Sequence, residues 1–174
     1  MEHHSRFLER FIHENNIKVF AEIGVFRCRL LKYLHSTCSS LVDEYWAIDP
    51  WAPLGNKEHG GYVKFSTKDW HNLYLSACKI MSSWPSLHVV RLSSRDVSRL
   101  FDKPHFDLVY IDALHTYEAC LYDINAWLPK VKKNGFIGGH DYAPEKGVFR
   151  AVNESFSQER IKTGSNMAWY VRNI

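Results

Sequence analysis

Five times along the chain a short apolar run gives way to a polar cluster, and these clusters hold the residues that could do chemistry. The first reads Ala21-Glu22-Ile23-Gly24-Val25-Phe26-Arg27-Cys28. Gly24 permits a tight turn and a close backbone approach to a ligand, and Glu22 before it suits an ammonium or hydroxyl group. The second is Ile48-Asp49-Pro50-Trp51, with Asp49 twenty-five positions beyond Gly24. A carboxylate near that offset (about 20 residues) can accept both hydroxyls of an adenosyl ribose. Trp51 offers a ring to lie against an adenine or a substrate. The third, Leu92-Ser93-Ser94-Arg95-Asp96, either hydrogen-bonds an adenine edge or starts a helix capped by Ser94 or Asp96. The fourth and fifth are Ile111-Asp112-Ala113-Leu114-His115-Thr116-Tyr117 and Gly138-Gly139-His140-Asp141-Tyr142.

The elements that must position these clusters follow from hydrophobic periodicity. Phe7, Leu8, Phe11 and Ile12 recur at helical spacing after a capping Ser5. Strands are expected over 17–23, 44–49, 87–92, 106–111 and 136–139, with a strand-like tail over 168–174 as half of a terminal hairpin. Helices fall between them: Leu30, Leu31 and Leu34 mark one, and Trp70, Leu73, Tyr74, Ala77 and Met81 a second. Tyr117, Leu121, Ile124 and Leu128 line a third, and Val148, Val152 and Phe156 a fourth. This alternation argues for parallel strands joined by right-handed helical crossovers, a three-layer α/β/α sandwich. Ligands in such sheets bind beyond the carboxyl ends of the strands, where all five clusters lie.

The bulk properties set limits. At 174 residues the chain is one domain, and 45% hydrophobic with 24% charged residues is an ordinary globular balance. No apolar run approaches the roughly 18 residues of a spanning helix. The N-terminus lacks the basic-then-apolar pattern of a secretory signal, so a cytoplasmic location is expected. The formal charge of +3 is too small to argue for nucleic acid. Cys28, Cys38, Cys78 and Cys120 form no Cys-x-x-Cys pair, which argues against structural zinc and for small buried hydrophobes. A nicotinamide or flavin cofactor is disfavoured because the dinucleotide fingerprint wants three glycines where only Gly24 is present.

Taken in order, Ala-Glu-Ile-Gly-Val-Phe-Arg, Ile-Asp-Pro-Trp, Phe-Asp-Leu-Val-Tyr-Ile-Asp-Ala-Leu-His-Thr-Tyr and Gly-Gly-His-Asp-Tyr resemble a small class I S-adenosylmethionine-dependent methyltransferase. The branch is similar to catechol O-methyltransferase and the antibiotic-pathway sugar O-methyltransferases, and the likeness runs from Val19 to Phe156. It implies a Rossmann-like fold with a mostly parallel seven-stranded (or six-stranded) sheet whose last strand is antiparallel. It also implies that Glu22 and Gly24 hold the methionine end of the cofactor, with Asp49, Pro50 and Trp51 at its ribose and adenine. Ser94 and Arg95 fall at adenine, and Asp112 lines the same site. In that branch a divalent metal, usually magnesium, sits after the fourth and fifth strands, which corresponds here to Asp112, His140 and Asp141. Two positions depart from the pattern. His140 stands where a carboxylate is usual, and imidazole suits zinc, manganese, iron or nickel better than magnesium. Cys28 stands where another glycine is frequent.

Methyl transfer to a hydroxyl needs in-line positioning and loss of the hydroxyl proton, by a general base or a metal. Asp112, His115 and His140 are the catalytic candidates, with His115 as base and His140 as the alternative base or a metal ligand. The long segment 52–84, with His59, Tyr62, Trp70, His71 and Tyr74 after Trp51, is expected to wall a pocket for a small hydroxylated acceptor. A chain without a large cap can use a second copy to close that pocket, so a homodimer is an expectation. The rival readings are a methyltransferase acting on RNA or protein, a cofactor-binding domain without catalysis, and a metal-dependent hydrolase on Asp112, His140 and Asp141. The last leaves Glu22 and Asp49 without a role.

Overall fold

The computed structural model describes residues 4–53 and 65–174, so His59 and Tyr62 of the expected pocket wall lie outside the described residues. In chain order the elements are α1 (His4–Glu14), β1 (Val19–Ile23), α2 (Arg29–Cys38), β2 (Glu44–Ile48), α3 (Thr67–Met81), β3 (Leu87–Val90) and α4 (Ser94–Ser98). They continue with β4 (Phe106–Ile111), α5 (Tyr117–Trp127), β5 (Val131–Gly139), α6 (Gly147–Ser155), β6 (Lys162–Thr163) and β7 (Trp169–Arg172). The strands form one seven-stranded sheet in the order β3-β2-β1-β4-β5-β7-β6. Neighbours from β3 through β5 run parallel, and β7 is antiparallel to both β5 and β6.

The sheet is covered on both faces, which is why its central strands carry almost no polar alternation. All five residues of β1 are buried. Phe20, Tyr45, Leu108 and Tyr110 pack with α1, α2 and α3 on one face. Ala21, Ile23, Val109, Ile111 and Ile137 pack with α5 and α6 on the other. The chain winds outward from β1 to β3, then returns to lay β4 against the opposite side of β1. That reversal makes the crevice beyond the carboxyl ends of β1 and β4 the natural ligand site.

Several local expectations are corrected. Ser5 does not cap α1 but lies buried inside it, because the helix already begins at His4. The cap of α4 is Ser93, whose hydroxyl accepts from the Asp96 amide, rather than Ser94 or Asp96. The Asn134-Gly135 turn becomes a kink within a longer β5, with Asn134 in the left-handed region at φ 66°. The buried face of α5 is Cys120, Asp123, Ile124 and Trp127, rotated from the expected stripe. A capping box between Ser66 and Asp69 starts α3. Among the described residues no helix is long and apolar enough to cross a membrane, and the four cysteines are unpaired.

Candidate active site

The carboxyl ends of β1, β2, β4 and β5 open into one cavity of about 840 Å³. Its floor is the β1 turn. Gly24 adopts φ +93°, and a Cβ there would stand 2.3 Å from the Asp112 carbonyl oxygen, so only glycine lets the turn meet the loop after β4. Phe26 and Cys28 also take positive φ. Cys28 occupies the place of the family's frequent glycine, and its buried thiol points inward, 3.9 Å from the Leu73 carbonyl.

What holds this strained turn is Asp49. Its Oδ2 accepts from the amides of Val25 (3.0 Å) and Phe26 (2.9 Å), and its Oδ1 from the amide of Trp51 (2.7 Å). Those bonds occupy three of the roughly four acceptor positions of a carboxylate. Asp49 is 7% exposed, and burial lifts its carboxyl above the usual range against the pull of these amides. Pro50 lines the cavity as expected. Trp51 does not: at φ 39° its ring turns into the core, fully buried, with Nε1 donating to the Phe26 carbonyl. It braces the turn and offers no face to an adenine. Of the aromatic stripe on α3, Trp70 reaches the cavity wall, whereas His71 is exposed beside Arg91.

Glu22 is 2% exposed and faces the cavity from β1. Burial pushes its carboxyl up to about 8, opposed by the hydrogen bond that Tyr45 Oη donates to Oε2, and Asp112 and Asp49 add repulsion. Ser94 and Arg95 lie on the wall after β3, but the Ser94 hydroxyl donates to Asp123 Oδ1 and accepts from Trp127 Nε1.

Asp112 and His140 also line the cavity, and His115 and Asp141 stand beside them. His115 Nε2 lies 3.4 Å from Asp112 Oδ1 and 3.3 Å from Asp141 Oδ2. His140 Nδ1 lies 3.1 Å from Asp141 Oδ2 and 3.9 Å from Asp112 Oδ1. Ligand atoms of Asp112, His115 and Asp141 all fall within 4.8 Å of one another. The Asp112 hydrogen bond raises the His115 pKa, against burial and with the charge of Asp141. Burial opposes protonation of His140, yet Asp141 and Asp112 together leave its pKa raised. Asp141, at φ 59°, is held well below the usual carboxylate range by His140, against burial, with His115 and Lys146 assisting. Carboxylate oxygens and imidazole nitrogens converging this closely fit a divalent cation that tolerates nitrogen, such as manganese or zinc, better than magnesium.

Three contributors escaped the sequence reading. The His4 ring packs 4.6 Å from that of His140, a tertiary contact no local pattern announces. Lys146 Nζ lies 3.1 Å from Asp141 Oδ1, across the turn before α6. Asp123 was legible in principle, as an acid three residues after Cys120 and four before Trp127 on a buried helical face.

A family model described as a methyltransferase domain matches residues 21–142, from β1 to just beyond β5. No curated protein matches the sequence. Among solved structures the chain is similar to TomG, an O-methyltransferase of tomaymycin synthesis from Streptomyces achromogenes in complex with S-adenosylmethionine. That pair is 10% identical with a TM-score of 0.66, covering 98% of this chain and 80% of that one. CalS11, a TDP-rhamnose 3'-O-methyltransferase of calicheamicin biosynthesis, is 16% identical (TM-score 0.60, 95% of this chain and 77% of that one). The O-methyltransferase NovP is 17% identical (TM-score 0.64, 98% and 78%). At these identities the structural likeness is one of fold. The family match spans most of the chain and every strand end that builds the cavity, and the chain belongs to the methyltransferase domain family.

Proposed function

We propose that this domain moves a methyl group from S-adenosylmethionine to a hydroxyl of a small metabolite, such as a sugar or a phenol, with a divalent cation assisting. The observation that supports it best is one cavity lined by the buried carboxylates Glu22 and Asp49 and by Asp112 and His140, which stand against His115 and Asp141. The cofactor supplies an electrophilic methyl on a sulfonium. Glu22, with Oε2 taken by Tyr45, has Oε1 left for the ammonium of its methionine end. Asp49 has one acceptor position left, enough for one ribose hydroxyl rather than both. Gly24 admits the chain between them.

On the acceptor side His115 takes the hydroxyl proton at Nε2, and Asp112 and Asp141 stabilise the imidazolium that results. A cation held by Asp112, His140 and Asp141 would lower the pKa of the hydroxyl. Because His115 and His140 hold their protons more tightly than usual, cation binding displaces protons and strengthens as pH rises. Trp70 on α3 walls the acceptor pocket, a second subunit closes it, and the modest net charge favours a small cytoplasmic acceptor over nucleic acid.

Calorimetric titration with S-adenosylhomocysteine, repeated with manganese, magnesium and a chelator, tests the reading. Binding that survives the chelator is expected, together with cation-stimulated methylation in a screen of hydroxylated metabolites. Asp141→Asn is expected to abolish that stimulation while leaving cofactor affinity within about threefold, since Asp141 bears on the acceptor side. Failure of folded, ligand-free protein to bind overturns the reading. Turnover indifferent to chelator removes the cation.

A further inference from the structure

One buried carboxylate in the cavity serves neither the β1 turn nor the imidazole cluster. Asp123 is 5% exposed and sits on the apolar face of α5 between Cys120 and Trp127, yet it also lines the cavity. An ionised group so placed is costly unless donors meet it. Its Oδ1 accepts from the Ser94 hydroxyl. That hydroxyl in turn accepts from Trp127 Nε1 at 2.8 Å, so Ser94 has its proton and a lone pair committed to holding Asp123. No donor among the described residues meets Oδ2. Burial accordingly lifts the carboxyl to about 6, with the Ser94 bond and the Arg95 charge pulling the other way.

Beside this acceptor is a flat platform. The Arg95 guanidinium lies over the Tyr122 ring, 4.3 Å from its centroid, and both line the cavity next to Asp123. Ala113, Leu114 and Ala119 supply apolar wall. The combination suits a planar heteroaromatic ring that carries an N–H donor on its edge.

We infer that Asp123 is the residue that reads the exocyclic amine of the cofactor's adenine, and that Ser94 is a positioning residue that aims it. This rests on the cofactor reading above, and it moves the adenine contact from Ser94 to a residue on α5. A carboxylate only accepts, so a 6-amino purine meets it with a donor, whereas a 6-oxo purine presents an oxygen and leaves Oδ2 desolvated and unmet. Sites built around a buried polar group reject a ligand that lacks its complement far more strongly than apolar pockets reject a change of shape.

The test is calorimetric titration at pH 8, where Asp123 is ionised, with S-adenosylhomocysteine and with its deaminated analogue S-inosylhomocysteine. The wild-type chain is expected to prefer the amino form by about 10- to 100-fold, the range for a hydrogen bond to a charged group. Asp123→Asn, nearly isosteric, is expected to bring that ratio to within about threefold, because its amide can donate to the 6-oxo group. Ser94→Ala is expected to reduce the ratio partway, which loss of packing alone would not do, since both ligands fill the same volume. Equal wild-type affinity for the two ligands overturns the inference while leaving the cofactor assignment intact. So does a preference that survives in Asp123→Asn. Failure of the wild type to bind either ligand overturns both.

Discussion

The two ends of the same sheet treat their carboxylates in opposite ways. At the amino ends of β1, β4 and β5, Asp107 Oδ2 accepts from the amides of Lys18 and Val19, and its Oδ1 pairs with Lys132 Nζ at 2.9 Å. Partial burial raises the Asp107 pKa, but Lys132 and the two amides outweigh it and leave it below the usual value. At the carboxyl ends Glu22, Asp49 and Asp123 are more deeply buried, and burial outweighs the donors that meet them, so all three pKa values are raised, with Asp141 beside the imidazoles the exception. One end uses charge to tie strands together. The other holds carboxylates in a buried cavity wall, a cost to folding that a ligand rich in donors can offset. The chemistry belongs at the end where burial, not an ion pair, sets the state of the carboxyls.

The comparison breaks most visibly at Gly24. Gly24→Ala puts a Cβ 2.3 Å from the Asp112 carbonyl oxygen and 2.6 Å from the Ala113 Cα, at a φ of +93° that alanine rarely adopts. Neither neighbour is a side-chain tip that could swing away. Urea denaturation is expected to show a loss of more than about 3 kcal/mol, or no folded protein. A loss below 1 kcal/mol would mean that the turn and the loop after β4 are not locked together.

Glu22→Gln sharpens the comparison, and its sign is opposite. The native Glu22 carboxyl keeps its proton up to about pH 8, whereas in the unfolded chain it ionises near 4.3. Between those values the native state holds more protons, so the group's contribution to stability falls as pH rises. Glutamine removes that slope and can still accept from Tyr45. Denaturation from pH 5 to pH 9 is expected to show near-equal stability at the acid end and a gain for Glu22→Gln on the order of a few kcal/mol at pH 9. Affinity for S-adenosylhomocysteine should fall in the same variant. Parallel pH profiles would show that Glu22 is already satisfied without ligand.

Much of the site is legible in the sequence because parallel strands are short apolar runs whose ends are marked by polar residues. Glu22, Gly24, Asp49, Asp112 and His140 stand at such ends and line one cavity, with His115 and Asp141 beside Asp112 and His140. What the sequence conceals is conformation and depth. Phe26, Cys28 and Trp51 adopt positive φ although none is the glycine or asparagine that announces it. The direction of the Trp51 ring and the binding of Asp49 to turn amides were therefore hidden. A helical stripe read from Tyr117, Leu121 and Ile124 is rotated from the face that is buried, because packing against α6 and β4 decides the rotation. With the face misplaced, Asp123 passes for an exposed acid. His4 reaches the site from an element distant in sequence, and Lys146 folds back on Asp141 from five residues on; no local pattern marks either.

The smallest expected effect lies at the quiet end, and its smallness is informative. Asp107→Asn keeps an oxygen that can accept from both the Lys18 and Val19 amides, so the tie across β1 survives and only the Lys132 pair is lost. That pair is partly exposed, with side chains 43% and 23% accessible, and such pairs contribute about 1 kcal/mol or less. The native Asp107 pKa is depressed, so its contribution is present above the unfolded value near 3.9 and is lost as pH falls through the native one. The gap between wild type and Asp107→Asn is therefore expected to be about 1 kcal/mol at pH 7 and to close on acidification, the reverse of the Glu22→Gln trend. Affinity for S-adenosylhomocysteine should not change. A loss of affinity in this variant would mean that strain passes along β1 from one end to the other, and the division of labour between the two ends would fail.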